Sequence, residues 1–244
     1  MTFRLLLTFA VLLLPLTAHA ADCVKVGKGA DALGRPSENA SIIGSGCGAL
    51  KVVDRRRNDP RKGVNIYATY AAFDPAKSAA EQKYNDWIGQ LSATMAFSGD
   101  VDLTPAGNHD EMLSAVFYRS PHLLSAATRQ WVCCGAHGSA GSNTLNIDAV
   151  TGKAVRLDEL VDVVAVATFC WQHLERGGRS ASGFEGNPPD SFVDSLRSSA
   201  WSVRDAGLLF DFGYMQGYAD GYFTCEIETR ELRRFTRRGV SVPF

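Results

Sequence analysis

The sequence predicts an α+β fold: a mostly antiparallel sheet with two main helices packed on it. Three observations carry that expectation. Residues 64–73, VNIYATYAAF, are rich in the β-branched and aromatic side chains that sheets favour. Residues 77–97 place Tyr84, Trp87, Ile88, Leu91 and Met95 on one helical face. The rest of the chain runs hairpin, strand, helix, hairpin, with turn residues between short apolar runs.

The elements follow in order. Met1 to Arg4 is basic, Leu5 to Leu16 is apolar, and Ala18-His19-Ala20 has the small-x-small form of a cleavage site. Residues 1–20 therefore read as a secretory signal peptide. The apolar run is shorter than the roughly 20 residues that span a bilayer. Asp22 precedes Cys23 where a lipid-attachment motif wants a small residue, so the cut is expected between Ala20 and Ala21. No later apolar stretch suggests a membrane span, and a bacterial periplasmic or secreted destination is expected.

Residues 21–62 are rich in Gly, Ser, Asn and charge and read as an irregular segment tied by a disulfide. Residues 63–112 read as a strand-helix module: Val64 to Phe73 as strand, a break at Asp74-Pro75, a helix over 77–97, then turn-rich chain to 111. Residues 113–236 read as the main C-terminal domain. Leu113 to Tyr118 and His122 to Cys133 form a hairpin around Ser120-Pro121. Cys134 to Asn143 reads as a small-residue loop, and Thr144 to Val150 as a strand. Leu157 opens a helix running to about Arg176, with Asp158 and Glu159 favourably placed in its first turn. Gly177 to Pro189 is loop and Asp190 to Ser198 a short helix. Trp201 to Val203, Leu208 to Phe212 and Tyr222 to Ile227 close the chain as strands, with a hairpin turn at 205–207.

Charge is balanced, with 25 Lys and Arg against 26 Asp and Glu, so the basic footprint of a nucleic-acid binder is missing. The runs Arg55-Arg56-Arg57 and Arg233 to Arg238 read as a solvated loop and a C-terminal segment.

All six cysteines, Cys23, Cys47, Cys133, Cys134, Cys170 and Cys225, lie beyond the signal peptide. An even count in an oxidising compartment argues for disulfides, although connectivity is not legible from sequence. Cys23 and Cys47 are expected to close a local loop worth about 3 kcal/mol in the chain-entropy model. Cys133 or Cys134 is then expected to partner Cys170 or Cys225. Neighbours along a strand face opposite ways, so Cys133 and Cys134 are expected to bond in different directions.

Catalytic patterns fail one by one. His109, His122, His137 and His173 are scattered, and no serine sits in a Gly-x-Ser-x-Gly elbow. Asn108-His109-Asp110-Glu111 and Cys133-Cys134-Gly135-Ala136-His137 contain metal-ligand types but lack His-x-x-x-His or Cys-x-x-Cys spacing. No catalytic residue, metal or cofactor is expected. His137 and Gly138 sit in what reads as a Gly-rich turn. Tyr214, Tyr218 and Tyr222, with Phe212 and Phe223, interleave with Gly213, Gly217 and Gly221. That cluster is either core packing or a recognition loop, since tyrosines are favoured interface anchors.

Two stretches resemble a known extracytoplasmic domain. Tyr118 to Val161 carries Gly135-Ala136-His137, then Asp148 to Lys153 (Asp-x-x-Thr-Gly-Lys), then Leu157-Asp158-Glu159-Leu160. Gly207 to Leu232 carries Gly207-Leu208, Phe210, Phe212, Tyr214, Tyr218-Ala219 and Gly221, with the first Tyr-to-Tyr interval one residue short of the pattern. Together they resemble the uncharacterised domain at the C-terminal end of the lysozyme-sensing anti-sigma factor ectodomain (RsiV-like). The same domain accompanies PdaC-type peptidoglycan deacetylases. The sigma-binding segment, the membrane span and the deacetylase catalytic domain of those proteins have no counterpart here. The resemblance implies an accessory module that binds a lysozyme-like protein or peptidoglycan, and no nucleic acid. His137, Gly138, Tyr214, Tyr218 and Tyr222 are the candidate contact residues. Two alternatives stand beside it: an envelope hydrolase centred on His137, and a structural envelope protein stabilised by its disulfides.

Overall fold

The computed structural model describes residues 21–22, 24–30, 36–42, 50–95, 97, 109–134, 137–176, 179–184, 186–198, 200–204, 207–213 and 223–237. The signal-peptide reading at 1–20 falls outside them. The elements in chain order are β1 (Ala21–Asp22), β2 (Val24–Ala30), β3 (Pro36–Ile42), β4 (Leu50–Asp59), β5 (Val64–Phe73), α1 (Ala79–Ala93), β6 (His109–Arg119), β7 (Leu123–Cys134) and β8 (His137–Asp148). Then come α2 (Leu157–Leu160), α3 (Val163–Gln172), β9 (Glu175–Arg176), β10 (Arg179–Ser180), α4 (Asp190–Ser198), β11 (Ala200–Arg204), β12 (Gly207–Gly213), β13 (Phe223–Glu228) and α5 (Thr229–Leu232). The class is α+β.

Two larger sheets form. The first runs β4-β5-β6-β7-β8, with β1 pairing the end of β6. Its pairs are antiparallel except β5–β6, which is parallel because α1 lies between them as the crossover that parallel strands need. The second runs β10-β9-β13-β12-β11 and is antiparallel throughout. A separate β2–β3 hairpin lies against β5 and β6.

Helix α1 covers one face of the first sheet. Ser78 caps it, and its side chain accepts from the Glu81 amide while the Glu81 carboxylate reaches back to the amides of Ser78 and Lys77. Glu81 is buried and forms an ion pair of 2.6 Å with Arg119 of β6. Small residues Ala68, Ala71, Ala80 and Ala126 let the helix approach closely, and Tyr84 fills the centre. The Tyr84 hydroxyl donates to the Ala71 carbonyl at 2.7 Å, so its one polar group is satisfied inside the core.

The second sheet packs on the opposite face near the base of β7 and β8. A buried polar joint holds the two sheets. Ser125 Oγ donates to Asn146 Oδ1 (2.5 Å), Asn146 Nδ2 donates to the Trp201 carbonyl (2.8 Å), and the Val203 amide donates to Ser125 Oγ (2.8 Å). Tyr118 and Leu123 join the second core here, together with Leu208, Phe210 and Ile227.

Five expectations are corrected. Residues 24–30, 36–42 and 50–59 form strands where composition predicted irregular chain. Every residue of β4 pairs with β5, because a ladder needs backbone groups rather than apolar side chains. The arginine run 55–57 therefore sits on the outer strand of the described sheet, where charge discourages further pairing, and not in a loop. Residues 137–143, expected as loop, belong to β8 and continue the ladder to the pair Cys134–His137. Likewise β6 begins at His109, inside the stretch read as turns. Finally, the helix expected from Leu157 to Arg176 is two helices. Val161 is extended (φ −133°, ψ 162°) and bridges Thr236, and Asp162 caps α3 by accepting from the amides of Val164 and Ala165.

Candidate functional site

The described surface around the second sheet is organised by aromatic rings. Phe223 meets Phe184 (5.7 Å between centroids), Phe184 meets Trp171 (4.8 Å), and Trp171 meets Phe192 (4.9 Å). Phe192 stacks on Phe212 (5.0 Å), which neighbours Phe210 (6.4 Å). These separations and the edge-on or offset tilts are those that aromatic pairs prefer. Trp171 comes from α3, Phe192 from α4, and Phe184 from the segment between β10 and α4. Phe212 and Phe223 sit at the two stems of residues 214–222. Both ends of that segment are thus rooted in one continuous chain of rings. Phe210, Phe223 and Phe192 are buried, whereas Trp171 and Phe212 are half-buried.

A disulfide braces the same place. Cys170 of α3 bonds to Cys225 of β13, with Cα atoms 5.5 Å apart and both residues fully buried. Separation in sequence is 55 residues. This corrects the expected pairing of Cys170 or Cys225 with Cys133 or Cys134. Helix α3 packs directly across β13, which brings the two late cysteines within bonding geometry. Cys23 and Cys47 lie outside the described residues. Cys133 and Cys134 are the last two positions of β7.

The predicted contact residues do not form one described patch. Tyr214, Tyr218 and Tyr222 lie outside the described residues. His137 and Gly138 open β8 and pair with Cys134 and Cys133, so the turn expected there is strand. Along β8, His137 is roughly 30 Å from Asn146, where the second sheet docks, at about 3.3 Å per residue. Sequence reasoning missed Trp171, Phe184 and Phe192. Their signal was present as aromatic residues within and on both sides of the Gly- and Pro-containing stretch 177–189, but their convergence depends on tertiary packing.

The motifs behind the resemblance turn out to shape the fold. Asp148 to Lys153 is a self-contained turn. The Asp148 carboxylate accepts from the amides of Thr151 (2.7 Å) and Val150 (2.9 Å), which holds its titration below the ordinary carboxylate range, chiefly through Thr151. Leu157 and Leu160 enter the second core, while Asp158 pairs with Arg156 at 2.9 Å in solvent. Gly207 has φ +150°, and a Cβ there would meet the Ile227 carbonyl oxygen at 1.9 Å, so this hairpin position requires glycine. Among the described residues no helix is long and apolar enough to cross a membrane.

No family model and no curated protein matches the chain. Among solved structures, one of a DUF3298 family protein from Pseudomonas aeruginosa PAO1, a member of an uncharacterised domain family, is similar. The alignment covers 78% of this chain and 94% of that one, at 12% identity and a TM-score of 0.39.

Proposed function

We propose that this chain is a non-catalytic binding module of the bacterial cell envelope, exported to the periplasm or beyond. In this reading it recognises a lysozyme-like protein or peptidoglycan. The observation that carries it is the braced ring chain at the stems of residues 214–222. In this reading Tyr214, Tyr218 and Tyr222, which Phe212 and Phe223 flank in the sequence, are the contact residues, since tyrosines are favoured interface anchors. The secretory leader, the buried disulfide and the motif resemblance to RsiV-like ectodomains and PdaC-type accessory regions support the same reading.

The test is retention of the purified chain on immobilised lysozyme and on purified peptidoglycan. Binding to one of the two is expected. Tyr214→Ala and Tyr218→Ala should each weaken it about tenfold, the effect of losing one interface anchor of about 1.4 kcal/mol, with Tm unchanged. Retention on neither material would refute the reading. Unchanged affinity in both variants would return the tyrosines to a packing role.

A further inference from the structure

Positive charge is concentrated on one strand. Residues 51–62, which are β4 and the turn after it, hold Lys51, Arg55, Arg56, Arg57, Arg61 and Lys62 against Asp54 and Asp59. That is a net of +4, in a chain whose whole net charge is −1. Lys51, Arg55, Arg56, Arg61 and Lys62 are exposed. Strand β4 pairs β5 residue for residue, from Leu50 with Phe73 to Asp59 with Val64, without a shift of register. Among the described strands it is the outermost of its sheet. No proline interrupts it, since Pro60 follows its last residue. The backbone groups on its outer side are those that an added strand pairs with.

We propose that the outer edge of β4 takes an extended acidic segment of a partner protein as a further strand of the first sheet. Arg55 and Arg57 stand opposite the buried Ala68 and Ile66, so both lie on the α1 side of the sheet. Two positions along a strand span about 6.8 Å, the spacing of carboxylates at alternate positions of an added strand. The partners of Arg55, the Ser92 hydroxyl at 3.0 Å and the Phe97 ring at 4.2 Å, are neutral, so they hold the guanidinium without cancelling its charge. Arg56 takes the other face opposite Tyr67, and Asp54 holds it through two hydrogen bonds of 2.8 and 2.9 Å. The field over the edge therefore comes from Arg55 and Arg57 on one side and from Arg61 and Lys62 at the turn.

The charge also chooses between occupants. A second copy of the chain would set like charges directly opposite each other, which is destabilising. A phosphate polymer would meet the charge but has no amide and carbonyl groups to continue the ladder. An acidic strand satisfies both the field and the backbone.

The experiment uses the purified chain and a labelled ten-residue peptide of alternating Glu and Thr, followed by fluorescence anisotropy. Binding is expected, with affinity falling about tenfold or more as salt rises from about 50 to 300 mM, because exposed charges are screened. The same peptide with every amide N-methylated keeps its charge but not its donors, and should bind at least about tenfold more weakly. Hydrogen exchange in β4 should slow when the Glu–Thr peptide is bound. Arg61→Gln combined with Lys62→Gln changes two exposed turn positions and should lower affinity about two- to fivefold with Tm unchanged. Arg55→Gln should also weaken binding, and the turn variant serves where Arg55→Gln fails to fold. Absence of binding at low salt, equal binding of a Lys–Thr peptide, or equal binding of the methylated peptide each overturns the proposal. So does unchanged exchange in β4, or polyphosphate that slows it as much as the Glu–Thr peptide does, which would make the edge a general polyanion surface.

Discussion

Around α1 the core is built from alanines and aliphatic side chains around Tyr84 and Phe73, and the buried Tyr84 hydroxyl and Glu81 carboxylate both have partners. Between α3, α4 and the second sheet the aliphatic core is joined by a longer chain of rings and a covalent bond. The difference follows from element length. The first region has β5, with ten residues, β6 and β7, with eleven and twelve, and a helix of fifteen residues with a complete capping box. Long ladders and a capped helix satisfy their own backbone groups. The second region has helices of ten and nine residues and two strands of two residues. Short elements have few ladder bonds, so interlocking rings and the Cys170–Cys225 bridge hold them. The first region is stable through its secondary structure; the second depends on side-chain packing and on oxidation.

The comparison is broken most directly from the second region. Phe210→Ala empties a fully buried ring site and should cost about 3 to 5 kcal/mol, measured by urea unfolding. Removing the bridge with Cys170→Ala and Cys225→Ala should cost about 2 to 4 kcal/mol. Hydrogen exchange should accelerate in α3, β9 and β13 before it does in α1 and β5, and simultaneous acceleration everywhere would show one cooperative unit. In the first region, Tyr84→Phe removes a buried hydrogen bond to the Ala71 carbonyl and should cost about 1 kcal/mol. Removal of Ser125 tests the joint between the regions. Ser125→Ala deprives the Val203 amide and Asn146 of a partner and should cost a similar amount. The smallest effect concerns pH. The Asp148 carboxyl is depressed in the folded chain, so its contribution is fully present above its unfolded titration and is lost as pH falls through the lower folded one. Asp148→Asn should flatten that acid limb of the Tm-versus-pH curve.

Much of the secondary structure was legible. Strand β5 matches the expected 64–73, and α4 matches the expected 190–198. The hairpin around Ser120-Pro121 falls where turn chemistry placed it, with Arg119 pairing Leu124, and the strands on either side of the expected turn at 205–207 pair antiparallel, Arg204 with Gly207. These are local signals, set by period and by turn residues. The polar strand β4 and the small-residue half of β8 were not legible, because their ladder partners, rather than their own side chains, define them. The break at Val161 was hidden because apolar periodicity continues through it. Asp162 before an apolar run was the capping signal that marked it.

The candidate site divides the same way. Sequence reasoning alone determined the α+β class and which residue types had binding chemistry. Tertiary structure decided which of them meet: Cys170 with Cys225 across 55 residues, and the rings of α3 and α4 beside Phe212 and Phe223. Periodicity repeats within a few residues and can be read along the chain. Strand register and helix-on-sheet packing are settled between distant segments, by the burial and backbone pairing they achieve together.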